Sequence, residues 1–543
     1  MTTGLMNLMD VQSNTPIPTP DLEYSLLAPM MIVVGVAVIG VLIEAFWPRR
    51  GRFRLQAVVA FLGLLAAAID TVWVGMHLSS VDGDLSAHGQ IGGEGSLAFD
   101  GPAILTWGLL LIFGLLSIML FAERTLDGGL SGFTGRAGDP PGSAGEAEAV
   151  AARVEHSEIF PLAMFAVAGM MLFAASNDLI TMFVALEVLS LPLYLLCGMA
   201  RRRRLLSQEA SLKYFLLGAF SSAFFLYGIA LTYGYAGSFV LSDINDAVTG
   251  QIGSQVLLLG GMGLILVGVL FKIGAAPFHA WTPDAYHGAP TAVTAFMAAG
   301  TKTAAMVALL RVFFVGFGGA EWDWRPIIWA VALLTMIVGS LVAIAQTDVK
   351  RMLAYSAVAH SGFILVGVAG AYVGVSEGTR ITSTTGVLFY LVAYGLGSIG
   401  AFAIVTMIRD TGGENTHLAK WAGLGRTSPW LAGAFAVFLL SFAGIPLTGG
   451  FIGKWAVFSA AIAGGYWVLV VVGVLLSAVA AYFYIRVIVL MFFTEPVGSG
   501  PSVAIASPLT TTVIAVTAIA TFALGIIPGP VLDLAQQAGA FVR

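Results

Sequence analysis

Fourteen apolar stretches of roughly twenty residues or more follow one another through this 543-residue chain and leave little room for anything else. The hydrocarbon core of a bilayer is about 30 Å thick and takes about 20 apolar residues per helical crossing. By that measure the pattern predicts crossings at 24–47, 55–78, 102–122, 159–175, 178–200, 210–236, 254–276, 291–315, 326–345, 352–372, 384–408, 429–462, 466–493 and 508–528. The twelfth is too long and too rich in Gly and Pro to be one straight helix. The connections are short, and no soluble domain fits between them. Composition agrees: 58% of the residues are hydrophobic and 10% charged, against roughly a quarter charged in a soluble globular chain. An ordinary water-soluble enzyme is thereby excluded.

One Cys in the whole chain excludes a disulfide framework, a thiolate zinc site and an iron–sulfur cluster. The net charge of -5 supplies no basic face, so no nucleic-acid role is supported. Residues 1–23 hold three Pro and no Lys or Arg, which is not the basic start of a signal peptide, so the first crossing is expected to stay in the mature protein. The long connection 123–158, with its Gly-Gly-Leu-Ser-Gly and Asp-Pro-Pro-Gly-Ser-Ala-Gly runs, reads as a flexible surface loop.

Basic residues orient the chain. Loops after odd-numbered crossings carry sixteen of them, including Arg49, Arg50, Arg52, Arg54, the run Arg201 to Arg204, Lys350 and Arg351. The opposite side carries three, Arg325, Arg380 and Arg543. The odd loops are therefore expected in the cytoplasm and both termini outside, which requires an even number of crossings.

The other six basic residues lie inside apolar segments, and four of them are lysines. A charge at the middle of a membrane helix costs roughly 2.5 to 3.5 kcal/mol on insertion scales, so several in one chain point to a polar route. At 1.5 Å per residue, Glu187 stands about 13 Å beyond Asp178 and Lys302 about 16 Å beyond Thr291, both near the midplane. Lys272 stands in Leu-Phe-Lys-Ile-Gly-Ala-Ala-Pro, where Gly274 and Pro277 are expected to interrupt the helix. Lys454 follows Pro446, Gly449 and Gly450, where a second interruption is expected. Broken backbone at membrane depth is tolerated only when buried in protein or lining a watery cavity. Two interrupted segments, five crossings apart and each beside a lysine, point to inverted repeats, because five is odd and turns the second unit over. The predicted architecture is an all-α polytopic membrane protein of about 14 helices with two inverted five-helix repeats. Its parts are 1–158, the repeats 159–315 and 326–493, and a C-terminal 494–543.

Other ionisable residues have plainer readings. Lys213 lies four residues after Glu209 near a cytoplasmic helix end, as an interfacial pair would, or belongs to the polar route. His360 is either a hydrogen-bonded packing residue or part of that route. Glu44 and Asp70, outside the repeats, read as structural or interfacial. His279 and His287 flank Pro283 and Asp284 at the first interruption without a metal-ligand spacing, and read as loop residues. The four arginines 201–204 read as a boundary marker.

The stretch Phe271-Lys-Ile-Gly-Ala-Ala-Pro-Phe-His-Ala-Trp-Thr-Pro-Asp-Ala-Tyr-His-Gly-Ala-Pro-Thr-Ala-Val293 closely resembles the signature of the antiporter-like subunits of respiratory complex I and of multisubunit cation/proton antiporters. Gln346 to His360, Ser441 to Lys454 and Ser211 to Ala223 agree, and the last two resemble the NADH-quinone oxidoreductase side of the family. The likeness covers about 159–493. The Gly-rich loop before Ile159 departs from the family's usual short connection.

The resemblance implies a proton-translocating subunit of a redox-driven pump. It implies that Glu187 and Lys272 form a switching ion pair, that Lys302 carries protons centrally, that Lys454 lies toward the exit, that His360 joins the two halves, and that Lys213 belongs to the path. It implies no cofactor in this chain, with NAD, FMN, iron–sulfur clusters and quinone held by partner subunits. Its partners would be neighbouring antiporter-like and small membrane subunits and the lipid of the inner (plasma) membrane. The physical logic is that burial favours a neutral amine while a nearby carboxylate restores its charge, so moving one relative to the other loads and releases a proton. The alternatives are a subunit of a multisubunit sodium/proton antiporter, or a membrane anchor whose lysines only pair and pack.

Overall fold

In hydrocarbon every backbone N–H and C=O needs a partner inside the protein, and a helix supplies it within one segment. The computed structural model describes residues 22–78, 80–81, 84–251, 253–371, 381–410, 413–496 and 500–542, and it is built on that rule. The first helices are α1 Tyr24–Phe46, α2 Arg49–Met76, α3 Gly101–Phe121, the short α4 Ala144–Ala151, α5 Ile159–Ala175, α6 Leu179–Cys197 and α7 Arg204–Ala236. Next come the short α8 Leu241–Thr249, α9 Gln255–Ile273, the short α10 Trp281–Gly288, α11 Thr291–Arg311, α12 Glu321–Ile344, α13 Val349–Gly370 and α14 Ser383–Met407. A single turn α15 Leu424–Thr427 leads to α16 Pro429–Ala443, α17 Gly449–Ala463, α18 Trp467–Phe493, α19 Pro508–Ile526 and α20 Gly529–Gln537. Among the described residues, twelve helical stretches are long and apolar enough to cross a membrane, and α5, α16 and α17 are shorter apolar helices. The chain is a multi-pass membrane protein. Residues 1–21, Arg380 and Arg543, used above for the N-terminus and the orientation, lie outside the described residues.

Burial sorts the helices. The apolar window of α11 is entirely buried, and those of α13 and α14 are 94% buried, whereas α1 and α2 reach only 28% and 33%. The three buried helices form the centre, with α11 against α3, α5, α9 and α14, and α14 also against α13, α16, α17 and α19. Aspartates start several crossings: the Asp100, Asp178 and Asp348 side chains accept from the backbone N–H of Ala103, Thr181 and Arg351 at 3.0, 2.7 and 3.0 Å.

Three features recur at a spacing of 170 residues. Asp178 and Asp348 cap α6 and α13 in the same way. Gly169 and Gly339 let neighbouring helices touch, since a Cβ on them would lie 2.4 Å from the Leu189 nitrogen and 2.3 Å from the Ala359 nitrogen. Gly274 and Gly444 end α9 and α16 with φ of +75° and +82°, and the following N–H groups of Ala275 and Ile445 bond back to the Leu270 and Leu440 carbonyls, both at 3.0 Å. The first helix thus breaks where the sequence places it. The second breaks at Gly444, ahead of Pro446, while Gly449 and Gly450 begin α17 instead of forming the interruption.

Two plain readings change. The loop 123–158 is tied down more than its Gly content suggests: it contains α4, Arg124 pairs with Glu155 at 2.7 Å, and Arg204 pairs with Glu146 at 3.1 Å. Lys350, counted above as a loop residue, is 2% exposed in the first turn of α13. Glu44 has the structural role expected, held by Arg52 at 2.6 Å and by Ser157 at 2.6 Å.

Candidate functional site

Breaking a helix frees carbonyls, and here buried lysines and serines answer them. α9 delivers Lys272 just before its break, 3% exposed, and its ammonium donates to Ser190 Oγ on α6 at 2.7 Å and reaches Tyr214 OH on α7 at 3.4 Å. The rings of Tyr194 and Tyr214 lie 5.8 and 5.4 Å from the Lys272 nitrogen. Glu187 sits one turn before Ser190 on α6, half-buried, with Oε1 buried and lacking a hydrogen-bond partner in the protein. Among the described residues no ion pair within 4 Å joins Glu187 to Lys272. The serine holds the ammonium in this conformation, and the carboxylate stands by.

Lys302, 2% exposed in the middle of α11, donates to the Ala357 carbonyl at 2.5 Å and to Ser361 Oγ, both on α13. Ser361 in turn donates to the Ile273 carbonyl at 3.0 Å, the end of α9 beside Lys272. Lys302 is therefore coupled to the first break through one hydroxyl. Its nitrogen also lies 5.2 Å from the Tyr394 ring, and the His360 ring lies 4.9 Å from the same tyrosine on its other contact. His360 Nδ1 pairs with Tyr390 OH at 2.7 Å, and Nε2 with Tyr484 OH at 3.3 Å.

Beyond His360 the Phe442 and Phe363 rings stand 5.4 and 6.0 Å away. Lys454 on α17 closes the series: it donates to the Phe442 and Ala443 carbonyls, each at 3.0 Å, and to Ser477 Oγ at 2.7 Å, with the Phe363 ring 4.6 Å away. Hydrogen bonds to a charged group contribute about 1.5 to 3 kcal/mol each, so three of them offset much of the cost of keeping this cation from water. Lys272, Lys302, His360 and Lys454 thus lie in one buried series: Ser361 connects Lys302 to the Ile273 carbonyl next to Lys272, and the Tyr394, Phe442 and Phe363 rings lie between Lys302, His360 and Lys454. Each of the four carries a nitrogen that can hold a proton, and hydroxyls or aromatic rings lie between them.

Lys213 stands beside this run. Its side chain is 46% exposed and bridges Glu209 at 2.7 Å and Asp284 at 3.0 Å, while the next residue, Tyr214, touches Lys272. The interfacial pairing read from the sequence is present, with Asp284, itself bound to Arg351 at 2.9 Å, as an added partner. His287 belongs to helix α10, where Nε2 lies 3.4 Å from Asp348. Among the described residues, no group of three or more His, Cys, Asp or Glu is gathered to hold a metal ion. Sequence reasoning missed Ser190, Ser361 and Ser477, which carry no signal at a distance. It also missed the Arg311–Asp100 pair, fully buried at 2.7 Å; the signal for that one was Arg311 inside an apolar segment.

Two broken helices bracketing a buried line of lysines define an antiporter-like membrane protein, and a sequence profile of the family described as NADH:quinone oxidoreductase/Mrp antiporter, transmembrane, matches residues 176–480. The chain is 57% identical over 530 residues to NADH-quinone oxidoreductase subunit N of a Nocardioides species, over 96% of this chain and 99% of that one. It belongs to the NADH-quinone oxidoreductase subunit N family. A chain of respiratory complex I from Thermus thermophilus with bound aureothin aligns at 32% identity with a TM-score of 0.73, over 94% of this chain and all of that one. A chain of the Mrp complex from a Dietzia species gives a TM-score of 0.74 at 22% identity, over 94% and 97%, a likeness of fold alone.

Proposed function

We propose that this chain is a proton-translocating membrane subunit of an NADH-quinone oxidoreductase, in which electron transfer from NADH to quinone in partner subunits drives protons across the membrane. The observation that carries it is the buried series at the centre, in which Ser361 connects Lys302 to the Ile273 carbonyl next to Lys272, and the Tyr394, His360 and Phe442 rings lead on to Lys454. Glu187 is the movable carboxylate: when it approaches Lys272 it stabilises the ammonium, and when it withdraws to the position seen here the lysine is left to Ser190. Lys302 is the central carrier, His360 and its two tyrosines link the halves, and Lys454 lies toward the release side. Lys213 is a peripheral member that positions α7 and Tyr214.

The 170-residue recurrences support reading 159–315 and 326–493 as two inverted units, flanked by 1–158 and 494–543. The excess of basic residues supports placing the odd loops in the cytoplasm and both termini on the outer side of the inner (plasma) membrane. We read the chain as holding no cofactor of its own, with NAD, FMN, iron–sulfur clusters and quinone in partner subunits, and with neighbouring antiporter-like and small membrane subunits beside it. The sodium/proton antiporter reading is favoured only by fold likeness, and copurification with NADH-oxidising subunits decides between the two. In membranes carrying the assembled complex, Glu187→Gln and Lys302→Ala are expected to cut pumping at least about tenfold, read as vesicle acidification per NADH oxidised. Unchanged proton stoichiometry in both variants overturns the proposal.

A further inference from the structure

On the side assigned to the cytoplasm, below the loop 123–158, lies a cavity of about 90 Å³. A water needs roughly 10 to 15 Å³ of such space, so several fit. Asp127, Phe133 and Arg202 line it from one side, and His287, Lys350 and Glu414 from the other. Two features that the proposed function leaves unused meet here: the Gly-rich loop and the arginine run.

The arginine run fastens the loop as a roof. Arg201 N–H donates to the Gly132 carbonyl at 2.9 Å and its Nε to the Ser131 carbonyl at 2.8 Å. Arg202 and Arg409 both hold Asp127, at 3.2 and 2.7 Å. Thr134 N–H bonds to the Met199 carbonyl at 2.8 Å. The floor carries an incompletely used cation. Lys350 has three N–H donors, of which one goes to the Ala289 carbonyl at 2.8 Å, and among the described residues no carboxylate lies within 4 Å of its nitrogen. Asp348, two residues earlier, is engaged by His287, Thr416 and the Arg351 N–H, so it does not neutralise Lys350 directly. Glu414 accepts from Thr291, the first residue of α11, at 2.5 Å, and Lys302 follows eleven residues along that helix, about 16 Å at 1.5 Å per residue. An ammonium that is 2% exposed, with donors to spare beside a water-sized cavity, is placed to exchange protons with the water in it.

We propose that this cavity is the cytoplasmic proton-loading vestibule of the chain, with Lys350 as its loading amine, Glu414 as the carboxylate that steadies the loaded form, and the loop 123–158 as its roof. The neutral Lys350 amine takes a proton from a hydronium in the vestibule water, forming a fourth bond to nitrogen and leaving water. The ammonium then releases that proton through bridging water toward Lys272 and Lys302 and returns to the neutral amine; no electrons move. This rests on the proton-translocating reading above.

The test uses the assembled complex in membrane vesicles with Lys350→Met, Lys350→Arg and, in parallel, Lys302→Ala. Arg keeps the charge and a donor for the Ala289 carbonyl but does not give up its proton. Both Lys350 variants are expected to lower pumping at least fivefold while oxidation of NADH by a water-soluble acceptor, which reports assembly, stays unchanged. The ratio of pumping rates in H2O and D2O should rise in both, as loading becomes the slow step; a purely structural lysine does not move that ratio. Pumping of Lys350→Arg at the normal rate overturns the proposal, as does a rate loss in both variants with an unchanged isotope ratio. If Lys350→Met simply fails to assemble, the Arg variant alone decides. Normal pumping by Lys302→Ala sinks the underlying function, whereas a dead Lys302→Ala beside normal Lys350 variants sinks only the vestibule.

Discussion

Lys272 and Lys454 each stand beside a broken helix, one ahead of its break and the other beyond it, and the groups around them differ. Lys272 is held by two hydroxyls and two aromatic rings, with the Glu187 carboxylate one turn from its serine. Lys454 is held by two carbonyls of its own break and one serine. Hydroxyls rotate and a glutamate moves, so the first lysine sits in a field that can change. Backbone carbonyls at a helix end are fixed, so the second sits in a field that cannot. The surroundings of Lys272 can therefore rearrange, and those of Lys454 are held by backbone.

Deleting the two ammoniums breaks this comparison most directly. Lys272→Met should abolish coupled pumping while leaving assembly intact, because its hydrogen bonds go to hydroxyls that can turn to other acceptors. Lys454→Met should lose pumping and also destabilise the subunit, because the Phe442 and Ala443 carbonyls lose a donor, at about 1 to 3 kcal/mol for each buried group left unpaired. Vesicle acidification together with the amount of intact complex on native gels separates the two outcomes; equal assembly defects would erase the distinction.

The serines sharpen it further. Ser190→Ala removes one of two hydrogen-bond partners of Lys272 and should slow pumping several-fold, whereas Ser477→Ala removes one of three from Lys454 and should slow it less than about twofold. Initial pumping rates in the same vesicles check this order, and a larger effect at Ser477 would contradict it.

The smallest effect belongs to Asp348, the cap that mirrors Asp178. Burial pushes its carboxyl upward, but the His287, Thr416 and Arg351 N–H contacts outweigh that and bring it down to about 2 from an ordinary 3.8. A depressed carboxyl adds stability that is present above its unfolded value and lost as pH falls through the folded one. Asp348→Asn should therefore cost about 2 kcal/mol above pH 4, with the difference from the parent shrinking between pH 4 and pH 2. Thermal unfolding of the purified complex across that range is the measurement, and a pH-independent difference would refute the assignment.

Much of the site was legible in the chain because lipid makes charge conspicuous. Lys272, Lys302, Lys454 and Glu187 stand out in apolar runs, and Gly274 beside Pro277 marks a broken helix by local stereochemistry. Ser190, Ser361 and Ser477 were not legible, since a serine is unremarkable in a membrane helix and only contact reveals its partner. Lys350 was misread for a related reason: next to Arg351 and Asp348 it resembles a loop charge, and only the packing of α13 against α10 and the Ala289 turn that follows it shows that the side chain is buried.

The sequence by itself determined that most of the chain runs as apolar helices, that the first of the interrupted helices breaks at Gly274, and that Lys272, Lys302 and Lys454 are kept inside the apolar segments, because the cost of exposing polar groups to hydrocarbon acts on every segment separately. The tertiary structure alone decided which carbonyl or hydroxyl each lysine meets, that Glu187 stands off from Lys272, and that the arginine run pins a roof over Lys350. Those depend on how helices far apart in the chain pack together, and packing is a property of pairs that no single segment carries.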